Sequence, residues 1–153
     1  MKKTLMIAAL LSLALTGCGG SSAPSLSAFK TGFAGQRKTF RTLGVDLQQA
    51  IATAQNKTDA QLAKEIAALA VRAKQQATSL ATLNPPSRYK TALHSLEAGF
   101  NAIAADLRQI TAAATKHDAA SARSATLALI KDASTVKAGD AAITSGLHLS
   151  ANG

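Results

Sequence analysis

The stretch YKTALHSLEAGFNAIAADLRQITAAA, residues 89–114, decides the fold of this 153-residue chain. Its apolar side chains recur at alternating spacings of four and three residues, which is the period of one face of an α-helix. The face consists of Tyr89, Leu93, Leu96, Phe100, Ile103, Leu107, Ile110 and Ala114. The stretch therefore predicts a long amphipathic helix whose apolar face needs other helices to cover it.

Three further segments carry an apolar stripe with the same period. Residues 62–83 repeat it strictly. Residues 26–54 repeat it as well, although Gly32, Gly35 and Gly44 weaken the helix there. A bend near Gly44 would therefore be unsurprising. The last stripe is the most polar and consists of Ala122, Thr126, Leu129, Ala133, Val136, Asp140 and Ile143. Leu127 and Ile130 are expected to widen it.

The predicted helix boundaries each have a local physical cause. Thr58, with Gln61 three residues later, is a capping box that starts the second helix. Asn84-Pro85-Pro86 ends that helix, and Pro86 suits the first turn of the third. Asp118 is an N-cap for the fourth helix, and Gly146 is expected to be its glycine C-cap.

Short connections between long amphipathic helices make sequence neighbours antiparallel. We therefore predict an all-α protein with one domain over residues 26–149, an antiparallel up-down-up-down four-helix bundle, followed by a tail at 150–153. In this topology Phe40 and Phe100 share a core layer with Leu69 and with Ala133, whose small side chain leaves room for the two rings.

The N-terminus has the organisation of an export signal. Lys2 and Lys3 precede an apolar run from Leu5 to Leu15, which is shorter than the roughly 20 residues of a bilayer span. The residues Leu15-Thr16-Gly17-Cys18 resemble the lipobox of bacterial lipoproteins. A plain secretory signal and a transmembrane helix with an incidental cysteine are the alternatives.

The lipobox resemblance implies a membrane anchor. Residues 1–17 would be a signal peptide that is removed, and Cys18 would carry a covalent diacylglycerol with fatty acyl chains such as palmitate. Residues 18–25 would then be the lipidated cysteine and a flexible tether. The expected location is the extracytoplasmic face of the cell membrane, or the outer membrane if the cell has one, since Gly19 rather than aspartate follows the cysteine.

A second resemblance covers residues 84–149. The Pro-Pro turn, the Leu-x-x-Leu-x-x-x-Phe helix that continues to Asp106-Leu107, the alanine-rich turn and the helix opening at Asp118 are similar to small helical-bundle lipoproteins of Gram-positive bacteria, whose function is generally unassigned. This resemblance implies the bundle and the anchor. It supplies no catalytic residues.

Charge is unevenly distributed along the predicted bundle. The chain has 17 basic and 8 acidic side chains and a net charge of +9, and the half of the bundle nearest the anchor holds the excess. We call the following residues the basic collar and expect them to bind anionic lipids or envelope polymers: Arg37, Lys38, Arg41, Arg72, Lys74, Arg88 and Lys90. Ordinary solvated helix faces are the alternative. Export and the scarcity of aromatic residues argue against nucleic acid.

The sequence favours a non-enzymatic role. The histidines His94, His117 and His148 are scattered, and His94 with Glu97 is best interpreted as a surface pair. No catalytic residues, no metal site and no cofactor other than the diacylglycerol on Cys18 are predicted. The expected function is therefore binding or scaffolding at the cell envelope, with an unknown protein partner at the distal half as a further option.

Polar residues interrupt the predicted core stripes at Gln36, Gln76, Thr126 and Asp140. Buried polar groups need partners, so these residues either form register-setting hydrogen bonds or lie at solvated helix ends, and Asp140 is expected to pair with Lys137 or Arg37. The alternative function is that of a carrier for a small apolar ligand in the bundle core. Phe33, Phe40, Phe100 and alanines would line its cavity.

Overall fold

The computed structural model describes residues 25–150, which form four long helices. These are α1 (Leu26–Ala52), α2 (Asp59–Ala81), α3 (Lys90–Thr115) and α4 (Ala119–Leu147). Single 3₁₀ turns follow α1 at Ala54–Asn56 and precede α3 at Ser87–Tyr89, and residues 25–150 contain no strand. The predicted signal peptide, Cys18 and most of the tether lie outside the described residues, as do residues 151–153.

The four helices form the predicted bundle in which each helix runs antiparallel to the next. At one end, which we call the proximal end, the rings of Phe29 in α1 and Tyr89 before α3 stack with centroids 5.4 Å apart. At the other end, the distal end, His117 Nδ1 after α3 lies 3.3 Å from Asp59 Oδ2 at the start of α2. The start of α1 therefore lies beside the start of α3, and the end of α3 lies beside the start of α2, as the up-down-up-down order requires.

The predicted N-caps of α2 and α4 are confirmed. The Thr58 hydroxyl accepts from the Gln61 amide, and the Gln61 side chain accepts from the Thr58 amide, which completes the capping box. Asp118 Oδ1 accepts from the Ser121 amide at 3.0 Å. Local sequence therefore defined these helix starts because a cap depends on residues three positions apart and not on tertiary packing.

Gly146 is not a C-cap, contrary to the sequence-based expectation. The helix continues to Leu147, and His148 takes the left-handed conformation with φ of 50°. Gly146 instead lies under Tyr89, since a Cβ at this position would be 2.8 Å from Tyr89 Cε1. The glycine is needed there for a close approach between helix and ring.

The same type of hydrogen-bonded turn ends both α3 and α4. The His148 amide donates to Ser145 O and the Leu149 amide to Thr144 O, which is the hydrogen-bond pattern of a Schellman motif. After α3 the amides of His117 and Asp118 repeat this pattern, and His117 has φ of 54°. A histidine therefore occupies the left-handed position that glycine usually takes.

A line of aromatic rings runs through the proximal half of the core. Phe33 is fully buried and lies 5.9 Å from Phe29 and 6.4 Å from Phe40, measured between ring centroids. Phe40 in α1 and Phe100 in α3 are 5.5 Å apart. The prediction that these two rings share a layer is confirmed, and Leu69 is buried in the same core. Ala133 was expected in this layer as well, but it is exposed and lies outside the core.

The buried face of α4 differs from the predicted stripe. Leu127 and Ile130 were expected to widen it, but each is 63% exposed. The buried residues are Ala125, Leu129, Gly139, Ile143 and Leu147. Two glycines explain this rotation of the helix, because they let α3 and α4 approach closely. A Cβ on Gly99 would lie 2.7 Å from Val136, and a Cβ on Gly139 would lie 2.9 Å from Leu96. The face of α4 thus turns toward α3.

The backbones of α2 and α3, and of α3 and α4, pack closely, whereas α1 packs less extensively and mainly on α2. The edge between α1 and α4 is therefore the loosest of the bundle. The core of the described residues lies wholly within residues 29–149, so this segment contains the contacts that hold the bundle together.

Candidate functional site

Arg37 of the basic collar is directed into the protein. It is only 4% exposed, and its Nε donates to Asp140 Oδ1 at 2.9 Å while Nη1 donates to the carbonyl oxygen of Ser150 at 3.1 Å. Of the two partners predicted for Asp140, Lys137 and Arg37, the structure has Arg37. This guanidinium therefore joins α1 to α4 and to Ser150 just after it, and it is not presented to an external surface.

Two more collar residues are engaged by neighbouring helices. Arg72 Nη1 lies 2.5 Å from Asp46 Oδ2, with both side chains 40% exposed. Lys74 Nζ donates to Asn101 Oδ1 at 2.7 Å. These contacts link α2 to α1 and to α3. Because both cations already have partners, they are less able to bind an external anion.

The remaining collar residues are exposed. Lys38 and Arg41 lie on α1, and Arg88 and Lys90 lie where α3 begins. The Arg88 guanidinium carbon is 4.8 Å from the centre of the Tyr89 ring, which fixes this arginine beside the proximal turn. The exposed part of the basic collar thus consists of two pairs of residues, Lys38 with Arg41 on α1 and Arg88 with Lys90 where α3 begins.

An open groove of about 350 Å³ lies along the loose edge between α1 and α4. Its floor is formed by Phe100 and Ile103 of α3. Its walls come from α1 and α4, and the wall residues are Phe40, Arg41, Leu43, Gly44, Leu47, Ala133, Val136, Lys137 and Asp140. We call this feature the α1–α4 groove.

Small residues create the space in this groove. A Cβ on Gly44 would meet no heavy atom within 4 Å, and Ala133 on the opposite helix has a side chain of one carbon. The tilted rings of Phe40 and Phe100 support the groove from below. The Arg37–Asp140 pair holds the two helices together at its proximal end. The groove therefore depends on both the small residues and the ion pair.

Most of the groove surface is apolar, and the charged groups lie at its edge. Asp140 Oδ1 accepts from Arg37 and from the hydroxyl of Thr144 at 3.1 Å, so its charge is compensated. Arg41 and Lys137 are exposed and line the edge. The side chains of Arg37, Arg41, Lys137 and Asp140 thus lie around the proximal part of the groove.

Sequence reasoning identified part of this site. Phe40, Phe100 and an alanine line the groove as the carrier hypothesis required, but Phe33 is fully buried beneath it. The hypothesis missed Leu43, Leu47, Ile103, Val136 and Lys137. Gly44 and Ala133 are the sequence signal that could have located the groove, because they are small residues at matching heights of α1 and α4.

A second unusual cluster is the carboxyl pair of Asp106 in α3 and Asp132 in α4. Asp106 is 6% exposed, and its buried Oδ2 has no hydrogen-bond partner within the described residues. Burial, followed by the charge and hydrogen bonding of Asp132, raises the pKa of the Asp106 carboxyl. The interaction with a second carboxyl group thus disfavours the charged form of Asp106, in the same direction as burial.

Other polar contacts have structural roles. Gln76 Nε2 donates to Gln36 Oε1 at 2.8 Å, which is a predicted register-setting hydrogen bond between α1 and α2. His94 Nδ1 lies 3.8 Å from Glu97 Oε2, and the histidine side chain is 82% exposed. Thr126 is exposed and its hydroxyl donates to the Ala122 carbonyl within its own helix.

Depressions at the distal end differ in character from the α1–α4 groove. Two of them, of about 260 and 410 Å³, are lined by alanines together with Asp59 and His117, which are exposed. They lack the large apolar side chains that enclose the α1–α4 groove. Apolar enclosure is the usual character of a small-molecule site, so the α1–α4 groove is the better candidate.

Within residues 25–150, no group of three or more histidine, cysteine, aspartate or glutamate side chains is placed to hold a metal ion. None of the four helices described here combines the length and the apolar composition of a membrane span. The chain matches no protein-family model, and no curated protein or solved structure matches it.

Proposed function

We propose that the protein is a lipid-anchored extracytoplasmic protein with a non-enzymatic binding role at the cell envelope, and that the α1–α4 groove holds a small apolar ligand. The groove is the observation that carries this proposal. It combines a volume of about 350 Å³ with walls of large apolar side chains, in a bundle whose α2, α3 and α4 pack closely in sequence order.

The anchor rests on residues 1–25. Lys2 and Lys3, the apolar run and Leu15-Thr16-Gly17-Cys18 have the order of a lipoprotein signal, and the tether that follows is rich in glycine and serine. Two or more acyl chains on Cys18 are sufficient for stable membrane attachment, whereas one chain gives only marginal binding.

Metabolic labelling tests the anchor. Full-length protein expressed in a bacterium that is fed an alkyne-bearing fatty acid should become labelled and should fractionate with membranes. Cys18→Ser should lose both properties, because the thioether cannot form without the sulfur. Labelling of the serine variant, or an unlabelled wild-type protein in the soluble fraction, overturns the proposed anchor.

The binding role rests on the packing of α1 against α4. Leu43 and Phe100 are nearly buried, but they lie on the surface of an open space and not against other side chains on every side. An apolar ligand in this space would remove groove surface from water, which stabilises a complex by about 25 cal/mol per Å² before the costs of association.

A neutral apolar fluorophore tests the binding role. The unacylated segment Gly19–Gly153 should increase the emission of N-phenyl-1-naphthylamine at low dye concentration. Gly44→Leu fills the groove and should abolish the increase. Gly35→Leu is the matched control, because Gly35 is also helical, exposed and without neighbours, yet it is absent from the groove. No emission change, or the same change with Gly44→Leu, contradicts binding in the groove.

A second candidate function is contact of the exposed collar residues with anionic lipid. Arg88 and Lys90 are exposed at the proximal end, near the proposed anchor, where each cation contributes about 1 kcal/mol within a Debye length of the surface. Co-sedimentation of Gly19–Gly153 with anionic vesicles across a salt series tests it. Neutralising Lys38, Arg41, Arg88 and Lys90 should remove salt-sensitive binding, and equal sedimentation of both proteins contradicts it.

A further inference from the structure

Large apolar side chains are exposed beside the α1–α4 groove. Val45, Ile51 and Ile130 each lie three or four positions along a helix from a residue that lines the groove, and Leu127 lies three positions from Ile130. Side chains at these spacings share one side of an α-helix. We call this side of the bundle, with the groove and these four residues, the α1–α4 face. Exposed apolar side chains that adjoin one another mark surfaces that meet a partner or a membrane.

The acidic residues of α1 and α4 are engaged within the bundle. α1 contains one of them and α4 contains two. Asp46 pairs with an arginine of α2, Asp132 hydrogen-bonds with a carboxyl group of α3, and Asp140 pairs with an arginine of α1. The carboxylates of these two helices therefore already have partners on other helices.

Exposed cations accompany the apolar residues on the α1–α4 face. Lys137 lines the groove, Arg123 precedes Leu127 by four positions, and Lys38 precedes Val45 by two helical turns. All three cations are exposed, and no ion pair joins any of them to a carboxylate among residues 25–150. The face thus combines apolar side chains with cations that lie outside the ion pairs of the bundle.

We infer that the α1–α4 face lies on the surface of an anionic phospholipid bilayer, with its apolar side chains among the headgroups and upper acyl chains; this inference rests on the proposed location at the cell envelope. Apolar side chains bordered by lysine and arginine are typical of helices that lie in the plane of a membrane interface. A second copy of the chain is a poorer partner, because two such faces would bring like charges together.

The segment before α1 allows the bundle to lie on its side. Cys18 precedes Leu26 by eight positions, which span at most about 28 Å when fully extended. With α1 lying along the membrane, Leu26 is within about one helix diameter, roughly 10 Å, of the surface. The proposed anchor can therefore remain in the bilayer while the α1–α4 face contacts it. The groove then opens toward the lipid, from which an apolar ligand would enter.

Tryptophan fluorescence of the anchored protein tests this inference. The chain has no tryptophan and one cysteine, so one introduced tryptophan reports on one position, and Cys18 can be coupled to a maleimide-bearing phospholipid. Cys18–Gly153 carrying Ile130→Trp is attached in this way to phosphatidylglycerol vesicles, with its fold verified by circular dichroism. The emission should shift to shorter wavelength. Most of it should be lost when the vesicles contain brominated acyl chains, which quench tryptophan on contact.

Val71→Trp is the matched control. Val71 is a similarly exposed apolar residue on α2, and a tryptophan there should keep its emission on brominated vesicles. A bundle standing upright on its proximal end would hold position 130 about 25 Å above the end of α4, so neither tryptophan would be quenched. Absence of quenching at Ile130→Trp, or equal quenching at both positions, overturns the inference.

The composition of the vesicles tests the charge of the partner. On phosphatidylcholine vesicles the quenching of Ile130→Trp should be lost. Adding Lys137→Gln should lower the ratio of docked to undocked protein about fivefold on phosphatidylglycerol, the contribution of one cation at an anionic surface. Lys64→Gln, which removes an exposed lysine of α2, should leave the ratio unchanged. Equal quenching on both lipids, or equal effects of the two lysine variants, overturns the anionic bilayer as partner.

A second copy of the chain and the proposed function are separated from this inference by the same design. A shift of the Ile130→Trp emission that occurs without vesicles and grows with protein concentration would place a second copy on the α1–α4 face and overturn docking on lipid. Because the attachment to the vesicle is chemical, failure of the docking test leaves fatty-acid labelling of Cys18 and dye binding in the groove standing.

Discussion

Arg37 Nε and Asp140 Oδ1 lie 2.9 Å apart and connect α1 to α4 across the loosest edge of the bundle. The arginine side chain is 5% exposed and the aspartate side chain 22%. A charge left without its partner at a buried position is costly, whereas replacing both partners by apolar residues of similar size is much less so. The ion pair therefore holds α1 and α4 together on the proximal side of the groove. Removing either side chain leaves the other charge without its partner.

Single substitutions of this pair should destabilise the protein more than the double substitution. Asp140→Leu leaves the guanidinium buried and should lower the free energy of unfolding by about 3 kcal/mol, and Arg37→Met by somewhat less because Asp140 is partly exposed. The double variant should recover a large part of this loss. Urea unfolding of wild type, the two single variants and the double variant gives the coupling energy between Arg37 and Asp140. Additive effects of the two substitutions would contradict a stabilising ion pair between them.

Glycine at the left-handed position after α3 or α4 should stabilise the protein. His117 and His148 have φ near 50°, where a residue with a Cβ is disfavoured by about 1 kcal/mol relative to glycine. His117→Gly and His148→Gly should each raise the thermal unfolding midpoint. His94→Gly is the control, since His94 is an exposed residue inside α3, and it should lower the midpoint. The same sign for all three variants would contradict the assigned helix ends.

The carboxyl pair of Asp106 and Asp132 should make stability depend on pH. Because burial and Asp132 raise the pKa of Asp106 in the folded protein, folding becomes less favourable as pH rises from the ordinary aspartate value through the raised one. Asp106→Asn removes this cost and should stabilise the protein at pH 7. The gain should shrink as pH falls toward the ordinary value of about 3.8, as measured by urea unfolding across a pH series.

Asp118 should show the opposite pH dependence and so serves as the control. Hydrogen bonds from Ser121 lower the pKa of this N-cap carboxyl. Its contribution is present above the ordinary aspartate pKa and is lost as pH falls through the lowered value. The difference between wild type and Asp118→Ala should therefore narrow with acidification. A pH-independent effect of Asp106→Asn would contradict the buried pair.

Two glycine substitutions should have opposite effects on stability. A Cβ on Gly99 would lie 2.7 Å from Val136 Cγ2, and a valine in a helix has little freedom to move away. Gly99→Ala should therefore destabilise by about 1 to 3 kcal/mol despite the better helix propensity of alanine. Gly35→Ala, with open space around its Cβ, should stabilise by about 1 kcal/mol. Stabilisation by both substitutions would contradict the close approach of α3 and α4.

Local rules and helical periodicity predicted much of this fold. The caps at Thr58 and Asp118 follow from neighbouring residues, and the shared layer of Phe40 and Phe100 follows from counting turns along antiparallel helices. The Arg37–Asp140 pair was one of two pairings predicted for Asp140, because a polar residue in a core stripe needs a partner.

The rotation of α4 could not be predicted from its own sequence. Leu127 and Ile130 are apolar and adjoin the stripe, but the contacts of Gly99 with Val136 and of Gly139 with Leu96 determine which side of α4 faces α3. Gly146 was misinterpreted for the same reason, since its role depends on Tyr89 from another element. The collar was incompletely predicted because Asp46 and Asn101, which engage Arg72 and Lys74, are distant in sequence.

The central claim is that the α1–α4 groove is the binding site of this protein. Methyl NMR of Gly19–Gly153 during titration with N-phenyl-1-naphthylamine tests it most directly. Binding in the groove predicts chemical-shift changes at the methyl groups of Leu43, Ile103 and Val136, which line it, and little change at Ile66 and Leu80, which are buried elsewhere. Unchanged spectra, or changes centred on Ile66 and Leu80, would contradict the claim.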